Sequence, residues 1–166
     1  GRFNDGQQWT VGDDGVIRFT VTSNRMTGGQ WIAHFGEENV SKWGKSLLRS
    51  DRFVPTIGVT YHVAVLPGKL WKTDNDRRTK NIRAEAEVQP RNLQKPPAEV
   101  ACLIRAKFTN QQIEQMGLLW IITMHESIED SDGDPNLLGT NREDYLLSAY
   151  YGEPDDYWYS GFGFAF

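Results

Sequence analysis

The sequence predicts an α+β fold, a single domain over residues 1–166 with a mainly antiparallel sheet and helices clustered in the middle of the chain. Three observations carry this. Val16 to Thr22 and the second half of Val54 to Leu66 alternate with the period of two that half-buried strands show. Capping-box signatures at Thr27–Gln30 and Thr109–Gln112 open short stretches with apolar residues at helical spacing. Leu118 to Met124 is short, apolar and entered through Gly117, the pattern of a buried central strand.

Taken in order, Gly12-Asp13-Asp14-Gly15 is a turn leading into a strand with Ile17, Phe19 and Val21 on one side. Trp31, Ile32 and Phe35 give the first helix its apolar face, and Gly36 stops it. Ser41 to Ser50 repeats the device with Trp43, Leu47 and Leu48. Val59, Tyr61, Val63 and Val65 line one side of the next strand, His62 and Ala64 the other, and Pro67-Gly68 ends it. Thr73 with Asp74 and Asp76 predicts a helix start, acids over the positive end of the dipole, running to just before Pro90 on a thin stripe of Ile82 and Ala86. Pro96-Pro97 opens a further helix with Val100, Leu103, Ile104, Lys107 and Phe108 on one face. The second capping box starts a short one carrying Ile113 and Met116. Tyr145 to Tyr151 and Gly161 to Phe166 complete the strands, the latter with Phe162, Phe164 and Phe166 on a single face.

No uninterrupted apolar run is longer than five residues, as in Leu118 to Ile122, where a membrane span takes about 20, so no membrane partner is expected. A lone Cys102 excludes a disulfide framework. With no basic-then-apolar leader in view and a start at Gly1 that reads as processed, the expected compartment is the cytoplasm and the expected state a monomer or small homo-oligomer. Charge is strongly segregated: residues 1–41 carry net −2, residues 42–107 net +8, and residues 108–166 net −10. The simplest expectation is that the basic middle and acidic end lie against each other and neutralise. A pI near 5.4 disfavours a nucleic-acid partner.

Four groups of residues have the right chemistry for a site. The loop after the central strand places Asp132, Asp134 and Asn136 at positions one, three and five of a Ca²⁺-binding loop, with Glu143 at position twelve. Position six is Leu137 rather than glycine, and no helix precedes the loop, so an EF-hand is excluded while a Ca²⁺-type cofactor in another loop geometry stays open. His125 and Glu126 sit where the strand leaves the core, the place for a metal ligand or proton carrier. On a helix, Arg77, Lys80 and Arg83 fall within about 120° of one face and suit phosphate. Tyr157, Trp158 and Tyr159, with Tyr150 and Tyr151 in the same aromatic-rich carboxyl end, suit stacking on a small ligand such as a sugar or on a protein surface. Gly44-Lys45-Ser46 is no phosphate loop, since Asn39 stands where the leading glycine belongs.

Catalytic signatures are otherwise lacking. The leading expectation is a binding or interaction module that uses the aromatic, acidic C-terminal surface, its partner an unknown protein or small ligand. The alternative is a metal-assisted hydrolase acting on a phosphate-containing substrate.

Overall fold

Eight strands pair into one sheet in the computed structural model, which describes residues 8–166. The strands are β1 (Thr10–Val11), β2 (Ile17–Asn24), β3 (Ile57–Pro67), β4 (Trp120–Thr123), β5 (Ile128–Glu129), β6 (Pro135–Thr140), β7 (Leu147–Tyr151) and β8 (Phe162–Ala165). Five helices, α1 (Gly28–Phe35), α2 (Lys42–Leu48), α3 (Thr79–Glu87), α4 (Glu99–Lys107) and α5 (Asn110–Gln115), lie between β2 and β4 in the chain. The order runs β1-β2-β3-β8-β4-β6, every pair antiparallel except β4 with β8. β7 takes the whole of one edge of β6 through Thr140↔Leu147 to Asn136↔Tyr151. β4 and β5 therefore share the other edge, at Gly139 and at Asn136 and Pro135 respectively. This is the α+β architecture the sequence predicts, with the helices in the middle of the chain.

Period-two alternation sends neighbouring residues to opposite faces, and the apolar core divides accordingly. Ile17, Phe19, Val21, Val63, Val65, Ile121, Leu138 and Ala165 meet the buried faces of α1, α2, α4 and α5. Ala64, Leu66, Ile122, Leu137, Phe162 and Phe164 join Ile82 and Ala86 of α3 and Trp158 on the other side. Both capping boxes form: Thr27 and Gln30 bond reciprocally, as do Thr109 and Gln112. Gly36 ends α1 at φ +102°, a conformation only glycine adopts without strain.

Three expectations need correction. The helix expected from Thr73 starts at Thr79: Thr73 to Arg77 is a turn, and Arg78 is extended, bridging Tyr157. Trp43 is not core, because α2 buries Gly44, Leu47 and Leu48, and Trp43 falls beside that stripe. The acidic loop is much shorter than expected. β6 occupies Pro135–Thr140, buried on both faces through Leu137 and Leu138, although Pro135 and Gly139 give it the composition of a turn. Gly139 is required there, since a Cβ would lie 2.5 Å from Ile122 Cδ1 and 3.0 Å from the Ile121 carbonyl. No helix among the described residues is long and apolar enough to cross a membrane.

Helices α1 and α2 meet at Gly28, where an added Cβ would lie 1.7 Å from the Leu48 carbonyl oxygen. Backbone cannot yield as a side chain can, so Gly28→Ala is expected to cost about 2–3 kcal/mol and lower the melting temperature by about 5–10 °C. Gly29→Ala, whose Cβ meets nothing nearer than Thr27 Oγ1 at 4.0 Å, is the matched control and leaves the melting temperature unchanged or raised. Circular-dichroism melts of the two variants check this.

Candidate functional site

His125 lies between β4 and β5 and is 1% exposed. Its Nε2 accepts the Leu138 N–H at 2.9 Å, and its Nδ1 donates to the Glu126 carbonyl at 2.7 Å. These partners fix the neutral tautomer with the proton on Nδ1. Burial, with the nearby Arg83 guanidinium, pushes its pKa down to about 4, against the opposing pull of the Glu126 carbonyl. The imidazole thus replaces a missing rung of the β4–β6 ladder, as the Thr140 hydroxyl does by accepting the Ile121 N–H at 2.9 Å. With both ring nitrogens engaged, it has no lone pair for a metal and no free proton to move. Glu126 beside it is exposed, on the rim of a cleft of about 500 Å³ with Arg52, Lys95 and a wall of Val54, Pro96 and Pro97.

The basic residues do not form one face. Arg77, before α3 and 2% exposed, donates to the carbonyls of Gly68 (2.6 Å), Trp158 (2.9 Å) and Trp71 (2.7 Å) and to Asp74 (2.6 Å). Arg83 donates to the carbonyls of Met124 (2.9 Å) and His125 (2.8 Å), and burial lowers its pKa. Lys80 is exposed and paired with Asp155 at 2.7 Å. Two of the three guanidinium and ammonium groups therefore hold backbone, which leaves no convergent phosphate cradle among them.

The acidic residues converge in part. Asp130, Asp132 and Asp134 each bring a carboxylate oxygen within 4.8 Å of the others. These are the residues that could hold a cation, though they supply three of the six to eight oxygens Ca²⁺ takes. Asp130 already accepts the N–H groups of Asp132 (2.9 Å) and Asp134 (3.0 Å) and the Asn136 amide (2.9 Å). The Asp134 N–H foremost, with these others, holds its carboxyl below the usual range. Asn136 is turned to Asp130 from within β6. Glu143 lies beyond the far end of that strand, which is about 17 Å long. The twelve-residue loop register is thus not formed.

The aromatic trio divides by the same alternation that builds the sheet. Trp158 is 5% exposed, in the core with its Nε1 donating to Thr79 Oγ1 at 2.9 Å. Tyr157 and Tyr159 are exposed and meet edge to face, ring centroids 5.9 Å apart. Tyr150 and Tyr151, of the same aromatic-rich carboxyl end, lie instead on a second surface with Trp43, which the sequence puts on the apolar face of its helix. Trp43 of α2, 47% exposed, and Tyr151 of β7, 59% exposed, flank a cleft of about 320 Å³ lined also by Asn136, Ser148, Ala149 and Tyr150. The Tyr150 hydroxyl donates to the Thr140 carbonyl at 2.8 Å and accepts from Asn141 at 3.0 Å, and burial pushes its pKa up to about 12. Helix α2 is docked there by the Ser41 and Ser148 hydroxyls, 2.8 Å apart. The available signal was Gly44: glycine in the i, i+3, i+4 stripe marks close approach of α2 to β7, and so places Trp43 at its border. No protein-family model, curated protein or solved structure matches the chain.

The His125 geometry predicts a pH dependence of stability. Its folded pKa of about 4 lies below the ordinary histidine value of about 6.5, so the unfolded chain binds the proton first and stability falls as pH drops through that window. Between pH 6.5 and 5 the loss from this group is about 1.5 kcal/mol. His125→Gln, which cannot protonate, is expected to lose that increment of slope. Urea titrations of both chains at the two pH values measure it.

Proposed function

We propose that this protein is a binding module whose contact surface is the aromatic, acidic C-terminal third, completed by Trp43 from α2. The observation that carries the reading is the cleft between Trp43 and Tyr151. Two large exposed rings line one concave cleft, its floor formed by Asn136, Ser148, Ala149 and Tyr150. Rigid amphipathic rings around a few fixed polar groups are what recognition sites are built from. Asn136, on the floor of the cleft, donates to Asp130 at 2.9 Å, which sets the acidic Asp130–Asp134 turn next to it. The hydrolytic alternative has less support. It needs a proton carrier or metal ligand at His125, whose ring nitrogens are both engaged, and phosphate contacts from Arg77 and Arg83, whose guanidiniums hold carbonyls.

The test is a selection of a phage-displayed twelve-residue peptide library and a screen of immobilised glycans against the full chain. Binders are expected, and the Trp43→Ala/Tyr151→Ala double variant is expected to lose at least tenfold in affinity for them. Tyr157→Ala, on the other aromatic site, leaves affinity unchanged. Binding that is indifferent to the double variant, or no enrichment from either collection, overturns the proposal.

A further inference from the structure

The cleft beside Trp43 lies along an edge of the sheet that is only partly closed. β7 pairs with β6 on one side, and its other side is covered at its beginning alone. There the Ser41 N–H donates to the Leu147 carbonyl at 3.2 Å, and Val40 bridges Leu147 in parallel. After Ser41 the chain turns into α2, whose Gly44 stays against Ser148, so the part of the edge left without a backbone partner runs from Ala149 to Tyr151. The Leu147 carbonyl therefore points away from β6. By the alternation of an antiparallel ladder, the N–H and C=O groups of Ala149 and Tyr151 point away as well. The inward Gly152 N–H, bonded to the Pro135 carbonyl at 3.0 Å, confirms the register. Among the described residues no group bonds those four outward atoms of Ala149 and Tyr151. An edge of this kind is a template for another strand.

Resting on the binding-module reading, we infer that β7 takes up an extended, basic peptide as an added strand, continuing the line that residues 39–41 begin. The peptide backbone bonds Ala149 and Tyr151, and its alternate side chains pack between the Trp43 and Tyr151 rings. Charge selects the occupant. β7 and β6 end together at Gly152 and Pro135, beside the Asp130–Asp132–Asp134 turn and Glu153. The single basic residue of the last third, Arg142, lies past the opposite end of β6 and is paired with Glu114 at 3.3 Å. A Lys or Arg just beyond the added strand meets the carboxylates. Lys42, its ammonium 5.0 Å from the Trp43 ring centroid, already makes the cation–π contact that such a side chain would compete for.

The twelve-residue phage library, followed by synthesis of the enriched peptides, tests this. Enriched sequences are expected to alternate apolar and polar residues and to carry Lys or Arg, with affinity falling as salt rises. Ala149→Pro removes an outward N–H, leaves the β6 ladder and both rings in place, and is expected to weaken binding at least tenfold. Backbone N-methylation of alternate peptide amides does the same with the unaltered protein, so the test survives a variant that fails to fold. Peptides that still depend on Trp43 and Tyr151 but tolerate both changes overturn strand addition while the binding module stands. The same holds if only glycans bind, or if enriched peptides are acidic. Concentration-dependent dimerisation in sedimentation, lost in Ala149→Pro, puts a second copy on the edge and overturns the peptide as occupant.

Discussion

Arginine side chains from the middle of the chain hold main-chain carbonyls of its last third, and the rest of the structure is arranged around that. Arg77 binds the Trp158 carbonyl together with those of Gly68 and Trp71. Arg83 binds Met124 and His125. Arg105, in the last turn of the buried α4, reaches the carbonyls of Asn141 and Phe108. Strands β4 to β8 are short and joined by irregular segments, so many of their carbonyls lie outside any ladder, and a buried carbonyl without a donor costs free energy. A guanidinium carries five donors in a fixed fork, which suits several convergent carbonyls better than an ammonium does. Burial of these charges is tolerable because each is hydrogen-bonded to at least two carbonyls.

This use of arginine also decides what the surface looks like. The charge segregation suggested mutual neutralisation of the basic middle and the acidic end. Among the described residues, one ion pair joins the two segments, Lys80 with Asp155. Most of the other middle-segment cations bind carbonyls or pair with acids of their own segment or the first, such as Lys95 with Glu87 and Lys45 with Glu37. A carbonyl accepts a hydrogen bond without cancelling a charge, so most carboxylates of the last third, Asp155 and Glu114 apart, are left without an ion pair among the described residues. Among them are Asp130, Asp132 and Asp134 of the turn next to the Trp43–Tyr151 cleft.

Elements whose signals are local were legible in the sequence. β2, the capping boxes of α1 and α5, and the one-sided Phe162–Phe164 face of β8 follow from periodicity and terminal chemistry within a few residues. Elements determined by distant partners were not. The α3 start was misplaced because Thr73 and its acids do form a turn, and only the Arg78–Tyr157 bridge, 79 residues apart in sequence, keeps the next residues extended. That shift also removed Arg77 from the helical face on which its phosphate reading depended. Trp158 was grouped with Tyr157 and Tyr159 by residue type, whereas the period of two separates it from them. The cleft itself joins α2 to β7 across more than a hundred residues, which no local pattern reports.

β6 shows why polar side chains were needed to define this sheet. A strand with one buried face resists slipping by one residue, since the slip would turn its apolar set to water. β6 has no such protection: Leu137 faces one core and Leu138 the other, so both faces are apolar. Its register is pinned by other means. The Leu138 N–H finds His125 Nε2, Thr140 Oγ1 finds the Ile121 N–H, and the Asn136 amide finds Asp130. Gly139 alone fits against Ile121 and Ile122. A slip in either direction would break all three bonds and drive a larger residue into the Gly139 gap. His125 stays neutral and internal because it is one of these pins, and the register it helps to set carries through β6 to β7. The outward N–H and C=O groups of Ala149 and Tyr151 are therefore placed by a histidine on the opposite side of β6.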